Sequence, residues 1–232
     1  MLYITIGIII FVLLVILFSS RARIKSNYEK QMRIGNEQGI TGAQVAVFAK
    51  NKYHLDIKFN RTKQDLSDAY FPKQRILLMS DRVCDTPSIA SVAIVSHELG
   101  HALQHKEKSK LFRTNEVLSA ITRVTNRFII PLIIVGLILY TIKVPNETLG
   151  LILVIIAGAL FLLHALLKLI TIPLEFDASH RAVKIMTECQ LLSKKEITKT
   201  KKLLNTAGQT YILALFDGIF ISLRKLKELF LK

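Results

Sequence analysis

The sequence predicts a mainly α-helical integral membrane protein: three transmembrane helices plus a small cytoplasmic α+β unit, one helix of which carries an HExxH motif. Three observations predict it. The 232 residues are 51% hydrophobic, above the level of an ordinary soluble domain. The apolar residues concentrate in long runs with at most one charged residue each. Between those runs, short segments of mixed periodicity end in His97-Glu98-Leu99-Gly100-His101.

The first run, Leu2 to Phe18, contains no charged residue. No basic stretch precedes it and no small-x-small cleavage site follows, so a retained anchor over residues 1–18 is expected rather than a cleaved signal. The second, Phe128 to Val144, is interrupted by Pro131, Thr141 and Lys143, and the third runs from Leu149 to Ile172. Each holds 17 residues or more, enough at 1.5 Å per residue to cross a hydrocarbon core of roughly 30 Å with local adjustment. A fourth apolar segment, Tyr211 to Leu223, is shorter and contains Asp217. It reads as a short span, a membrane-dipping helix or a helix packed on the others.

Basic residues orient the spans. Residues 19–127 carry 19 Lys+Arg against 10 Asp+Glu, and residues 173–232 carry 11 against 6. The link at 143–148 has one Lys and one Glu. The positive-inside rule then puts the N-terminus and this link outside and both basic regions in the cytoplasm. Four regions follow: the anchor at 1–18, a cytoplasmic unit at 19–127, a transmembrane hairpin at 128–172 and a cytoplasmic or membrane-associated helical segment at 173–232. A net charge of +15 fits a face lying against anionic headgroups. No nucleic-acid recognition module accompanies it, so the lipid bilayer, and no nucleic acid, is the expected partner. Cys84 and Cys189 have no metal-type spacing and read as reduced, neutral thiols.

Within the cytoplasmic unit, Thr41 to Asn51 reads as a helix, while His54 to Phe59 and Arg75 to Met79 read as strands. Leu66 to Pro72 between them reads as a turn. Asp85-Thr86-Pro87 reads as the start of a helix continuing from about Ser88 to His105. On that helix His97 and His101 lie one turn apart on one face, able to grip one Zn²⁺, and Glu98 lies beside the metal, placed to take a proton from water. Catalytic zinc usually takes three protein ligands. Glu175, just beyond the third run and on the same predicted face of the membrane, is the expected third. His105 lies two turns from His97, too far to share the ion. Asp177 has two readings, a partner that orients a histidine or an ion pair with Arg181. Tyr70, His180 and Tyr211 are chemically able to stabilise an oxyanion, and nothing ranks them. His164 and Lys168 interrupt the third run without an assigned role.

These blocks resemble a known family, the neutral zinc metallopeptidases of bacterial membranes, often called YugP-like. The resemblance covers nearly the whole chain and is carried by LSDAYFPKQRILLMSD, SIASVAIVSHELGHALQH, the apolar hairpin, PLEFDASHRA and TAGQTYILAL. It implies a bacterial membrane peptidase with Zn²⁺ as cofactor and a polypeptide substrate. Relatives typically carry a His and an Asp in the turn where this chain has Ala69 and Phe71. The prenyl-protein-processing and heat-shock-type membrane zinc peptidases place an Asp four residues after the ligand Glu; Ser179 stands there, which argues against that group. The expected activity is zinc-dependent endopeptidase cleavage at the cytoplasmic membrane face, with Glu98 as general base. The alternative, prompted by Ala69 and Phe71, is a zinc-binding but inactive membrane scaffold. With no charged pathway along the spans, a channel or transporter is disfavoured.

Overall fold

A computed structural model of the chain describes residues 25–142 and 147–208, without the side chains of 202, 203 and 205–208. The first apolar run and the Tyr211–Leu223 segment lie outside the described residues. The chain is mostly helical with one small sheet. Helix α1 covers 25–32 of the described residues. It is followed by α2 (Gly42–Lys52), β1 (Lys58–Thr62), β2 (Ala69–Phe71), β3 (Ile76–Ser80), α3 (Asp81–Asp85), α4 (Ile89–Lys106), α5 (Lys110–Ile142), α6 (Glu147–Glu188) and α7 (Lys194–Gly208). The described residues divide into two compact units. One runs to Phe112 and resumes at Leu174; the other is Arg113–Pro173.

In the first unit the strands are ordered β1-β3-β2, with β1 parallel and β2 antiparallel to β3. This differs in detail from the sequence reading. His54 adopts a positive φ of 48°, so the ladder starts only at Lys58, although Leu55 and Ile57 already reach the core. Arg75, at φ 52°, closes a turn and cannot begin a strand, which moves β3 one residue on. The stretch read as a turn contains the three-residue edge strand β2, too short for an alternation pattern to reveal.

Helix α4 is the centre of this unit. The Ser88 hydroxyl caps it by accepting the Ser91 N–H at 3.0 Å, so Pro87 precedes the cap instead of occupying the first turn. Ser80 caps the separate one-turn helix α3, which takes up Asp85. Val92, Val95 and Leu99 are fully buried among Val45 and Ala49 of α2, Leu77 of β3, Val83 of α3 and Ile185 and Met186 of α6. Burial of each large aliphatic side chain stabilises the fold by roughly 1.5–3 kcal/mol. A helix apolar on nearly every side is a core helix, and the motif it carries is therefore held on an element packed from several directions.

The second unit holds the apolar lengths of α5 and α6, two helices long and apolar enough to cross a membrane. The second apolar run, as far as Ile142, and the third are pieces of these longer helices, which also contain Pro131 and Pro173. Buried positions recur at seven-residue intervals: Thr122, Ile129 and Gly136 on α5, and Gly150, Ala157 and His164 on α6. That period is the signature of a knobs-into-holes seam. A Cβ added at Gly150 would lie 2.6 Å from the Gly136 carbonyl oxygen, so the two helices approach backbone to backbone there.

Candidate metal centre

All three residues singled out as ligands lie in the first unit and converge. Ligand-capable atoms of His97, His101 and Glu175 lie within 4.8 Å of one another. Helical spacing on α4 brings the two imidazoles together, with ring centroids 4.9 Å apart and planes nearly perpendicular. Glu175 comes from α6 across a close helix contact: a Cβ on Gly100 would sit 2.5 Å from the Ala178 carbonyl oxygen. The glycine inside the motif is therefore what lets α6 approach α4 closely enough for its carboxylate to reach the histidines.

His97 Nε2 and His101 Nε2 lie 3.2 Å and 3.3 Å from the same Glu175 oxygen, Oε2. Zinc bonds of about 2.0–2.1 Å in a tetrahedral site separate neighbouring ligand atoms by about 3.3 Å, so both nitrogen–oxygen separations fit ligands of one Zn²⁺, and the remaining pair of ligand atoms lies within 4.8 Å. The Nδ1 atoms are occupied on the other side of each ring. Ser179 Oγ lies 3.3 Å from His97 Nδ1, and Gln104 Oε1 lies 2.9 Å from His101 Nδ1. Both imidazoles thus present Nε2 to the centre.

The three side chains are 14–21% exposed, dry enough for their charges to act strongly on one another. Burial works against the His101 cation, but the Glu175 hydrogen bond and charge, with Glu98, outweigh it and push the imidazole up to about 9. Burial likewise disfavours the Glu175 anion, and the two histidines overcome it, holding the carboxyl well below the usual carboxylate range. Glu98 is pushed up by burial, partly opposed by His101, His97 and the Tyr70 amide. Its Oε2 accepts the Tyr70 N–H at 2.8 Å, a bond from the edge strand β2 that turns the carboxylate into a defined orientation.

Asp177 combines its two readings without touching a histidine. Its Oδ2 accepts from Arg181 Nε at 2.7 Å and from Gln104 Nε2 at 2.7 Å, and Gln104 in turn meets His101. Burial raises the Asp177 carboxyl, but Gln104 and Arg181 together hold it below its ordinary range. Of the oxyanion candidates, Tyr70 directs its hydroxyl to His105 Nδ1 at 2.8 Å, and His105 stacks on Phe112. His180 donates Nδ1–H to the Phe176 carbonyl, and Tyr211 lies outside the described residues. His164 and Lys168 belong to the second unit. The sequence reading missed Gln104, although its place one turn after His101 on the same helix was visible in HALQH, and it missed the Tyr70 amide, which no side-chain pattern could reveal.

A helix-borne pair of histidines, a carboxylate from a second helix and a glutamate beside them are the kind of side chains from which metallohydrolase centres are built. Sequence comparison agrees. The family described as "Putative neutral zinc metallopeptidase" matches residues 5–228, and the chain belongs to that family. Its cofactor is Zn²⁺. The protein described as "Putative membrane protease YugP" from Bacillus subtilis (strain 168) is 29% identical over 209 residues, which cover 89% of this chain and 88% of that protein. No solved structure matches. The chain is thus a member of a zinc metallopeptidase family that carries two helices long and apolar enough to cross a membrane.

Proposed function

We propose that the protein is a membrane-embedded endopeptidase that hydrolyses polypeptides at the cytoplasmic face of the membrane, with His97, His101 and Glu175 as zinc ligands and Glu98 as general base. The observation that carries this reading is the convergence of His97, His101 and Glu175 from two helices at tetrahedral ligand spacing. Bound Zn²⁺ supplies Lewis-acid polarisation of the scissile carbonyl and acidifies a water molecule. Glu98 takes the proton of the attacking water and returns it to the leaving amine. The Tyr70 amide keeps one Glu98 oxygen fixed, leaving the other to move the proton.

The sequence charge pattern supports the cytoplasmic placement. His101 and Glu175 share one site, so the chain between them crosses the membrane an even number of times, and α5 and α6 supply two crossings. Both flanking regions are basic, as cytoplasmic segments are. A zinc-binding but inactive scaffold remains the competing reading, raised by Ala69 and Phe71 on β2. A binding-only site has no use for an oriented carboxylate at Glu98, which favours hydrolysis.

The test is the zinc content of the detergent-purified protein beside Glu175→Ala, followed by cleavage of fluorescently labelled casein beside Glu98→Gln. About one zinc per chain, lost in Glu175→Ala, with casein cleavage that Glu98→Gln abolishes, is expected. No zinc after metal-replete purification would overturn the reading. Zinc bound by a protein on which Glu98→Gln has no effect in any cleavage assay would favour the scaffold.

A further inference from the structure

We infer that Gln104 is a positioning residue that fixes the proton of His101 on Nδ1 and so keeps Nε2 as an electron-pair donor in the metal centre. The inference rests on the zinc-centre reading above and assigns a role to a residue outside the ligand set.

The argument follows from which groups can donate. Gln104 is fully buried, so no solvent competes for its amide. Its Nε2 lies 2.9 Å from the Leu174 carbonyl oxygen and 2.7 Å from Asp177 Oδ2. Both partners are acceptors: a carbonyl oxygen only accepts, and Asp177 Oδ2 already accepts from Arg181 Nε at 2.7 Å, a guanidinium that Glu107 holds from the other side at 2.7 Å. Turning the amide over would set its oxygen against two other oxygens, so the orientation is forced. The amide oxygen then faces His101 Nδ1 at 2.9 Å. A carbonyl oxygen only accepts, so Nδ1 must carry the hydrogen, and a neutral imidazole has no second one for Nε2. The chain of donors is directional throughout: His101 to Gln104, Gln104 to Asp177, Arg181 to Asp177. The same amide also ties α4 to the turn of α6 that carries Glu175, through the Leu174 carbonyl.

His97 lacks this restraint. Its Nδ1 partner is the Ser179 hydroxyl at 3.3 Å, a group that rotates and can either donate or accept. His101 is the ligand whose tautomer is dictated, and His97 is the adaptable one.

The experiment is Zn²⁺ affinity of the full chain in detergent, measured by competition with a chromogenic chelator, for wild type, Gln104→Met and Ser179→Ala, with histidine ring ¹⁵N shifts of the zinc-loaded wild type. Methionine fills the space of the glutamine but neither accepts from Nδ1 nor donates to Asp177. Removing such an outer partner typically weakens metal affinity by about 10- to 100-fold, and that loss is expected for Gln104→Met. Ser179→Ala should lose less than Gln104→Met. Melting of the metal-free proteins reports folding separately, and where Gln104→Met does not fold, the ring ¹⁵N shifts of His101 in the zinc-loaded wild type decide, with the hydrogen expected on Nδ1 and the metal on Nε2. Wild-type affinity in a folded Gln104→Met protein would overturn the inference, as would a His101 that binds the metal through Nδ1. A wild type that binds no zinc would instead bring down the metal-centre reading itself.

Discussion

In α4, Val92, Val95 and Leu99 are completely buried, whereas in α6 Ile155 and Leu162 are each 61% exposed. Both helices are rich in aliphatic residues, yet one hides them within the protein and the other turns them outwards. Only 11% and 17% of the apolar windows of α5 and α6 are buried. An exposed apolar surface on this scale needs an apolar solvent, and two long helices with their backbone groups internally satisfied suit a bilayer. The polar groups divide in the same way. In the first unit a chain of hydrogen bonds joins His101, Gln104 and Asp177, and a separate one holds Glu98 to the Tyr70 amide. The buried seam of the hairpin is made mostly of small and apolar residues. The packed core of the first unit can hold polar side chains in fixed orientations, whereas the apolar lengths of α5 and α6 offer few polar groups to hold.

The most severe way to separate chemistry from folding in the first unit is Glu98→Gln. It should lower peptide cleavage by about 10²- to 10⁴-fold, the usual contribution of a general base, while zinc content stays at the wild-type level. A parallel loss of zinc would mean that Glu98 shapes the metal centre instead of moving a proton.

Next in size is a pair of truncations that tests the contrast directly. Leu77→Ala, in the buried strand β3, should cost about 2–5 kcal/mol and visibly lower the melting temperature. Leu162→Ala, on the exposed flank of α6, should change stability in detergent by no more than about 0.5 kcal/mol. Equal losses would show that the outer face of the hairpin is buried against protein.

A smaller effect is expected where α4 meets the Glu175 segment of α6. Gly100→Ala places a methyl group 2.5 Å from a backbone oxygen that cannot move without its helix. A cost of about 1–3 kcal/mol and weaker zinc binding are expected, read by thermal melting and chelator competition. Full zinc affinity would show that Glu175 does not depend on this approach. Least of all, Ser179→Ala removes one long hydrogen bond to His97 and should weaken zinc binding by about 2- to 10-fold, the equivalent of one ordinary hydrogen bond.

Much of this organisation was legible in the sequence because it depends on local period and on charge. Helical spacing placed His97 and His101 on one face, and α4 runs from Ile89 to Lys106, one residue on from the range read from sequence. The third apolar run falls within α6, and the second lies in α5 as far as Ile142, its last two residues being outside the described ones. Glu175 was singled out from the need for a third ligand on the same side of the membrane, and it lies against both histidines. The sheet was less legible. Strand β2 has three residues and gains its definition from pairing with β3 and from the Tyr70 amide bond to Glu98, both contacts distant in sequence.

The sequence by itself determined which side chains could do chemistry, because residue type and helical spacing are local properties, and which segments prefer lipid, because hydropathy sums along the chain. Only the tertiary structure decided how those side chains are held. It brought Glu175 to the histidines across the Gly100–Ala178 contact and set Glu98 on a strand amide. It also resolved Asp177 into a group that acts on His101 through Gln104. These are pairings between residues far apart in the chain, fixed by close packing and by the need of every buried donor for an acceptor, and no local pattern encodes them.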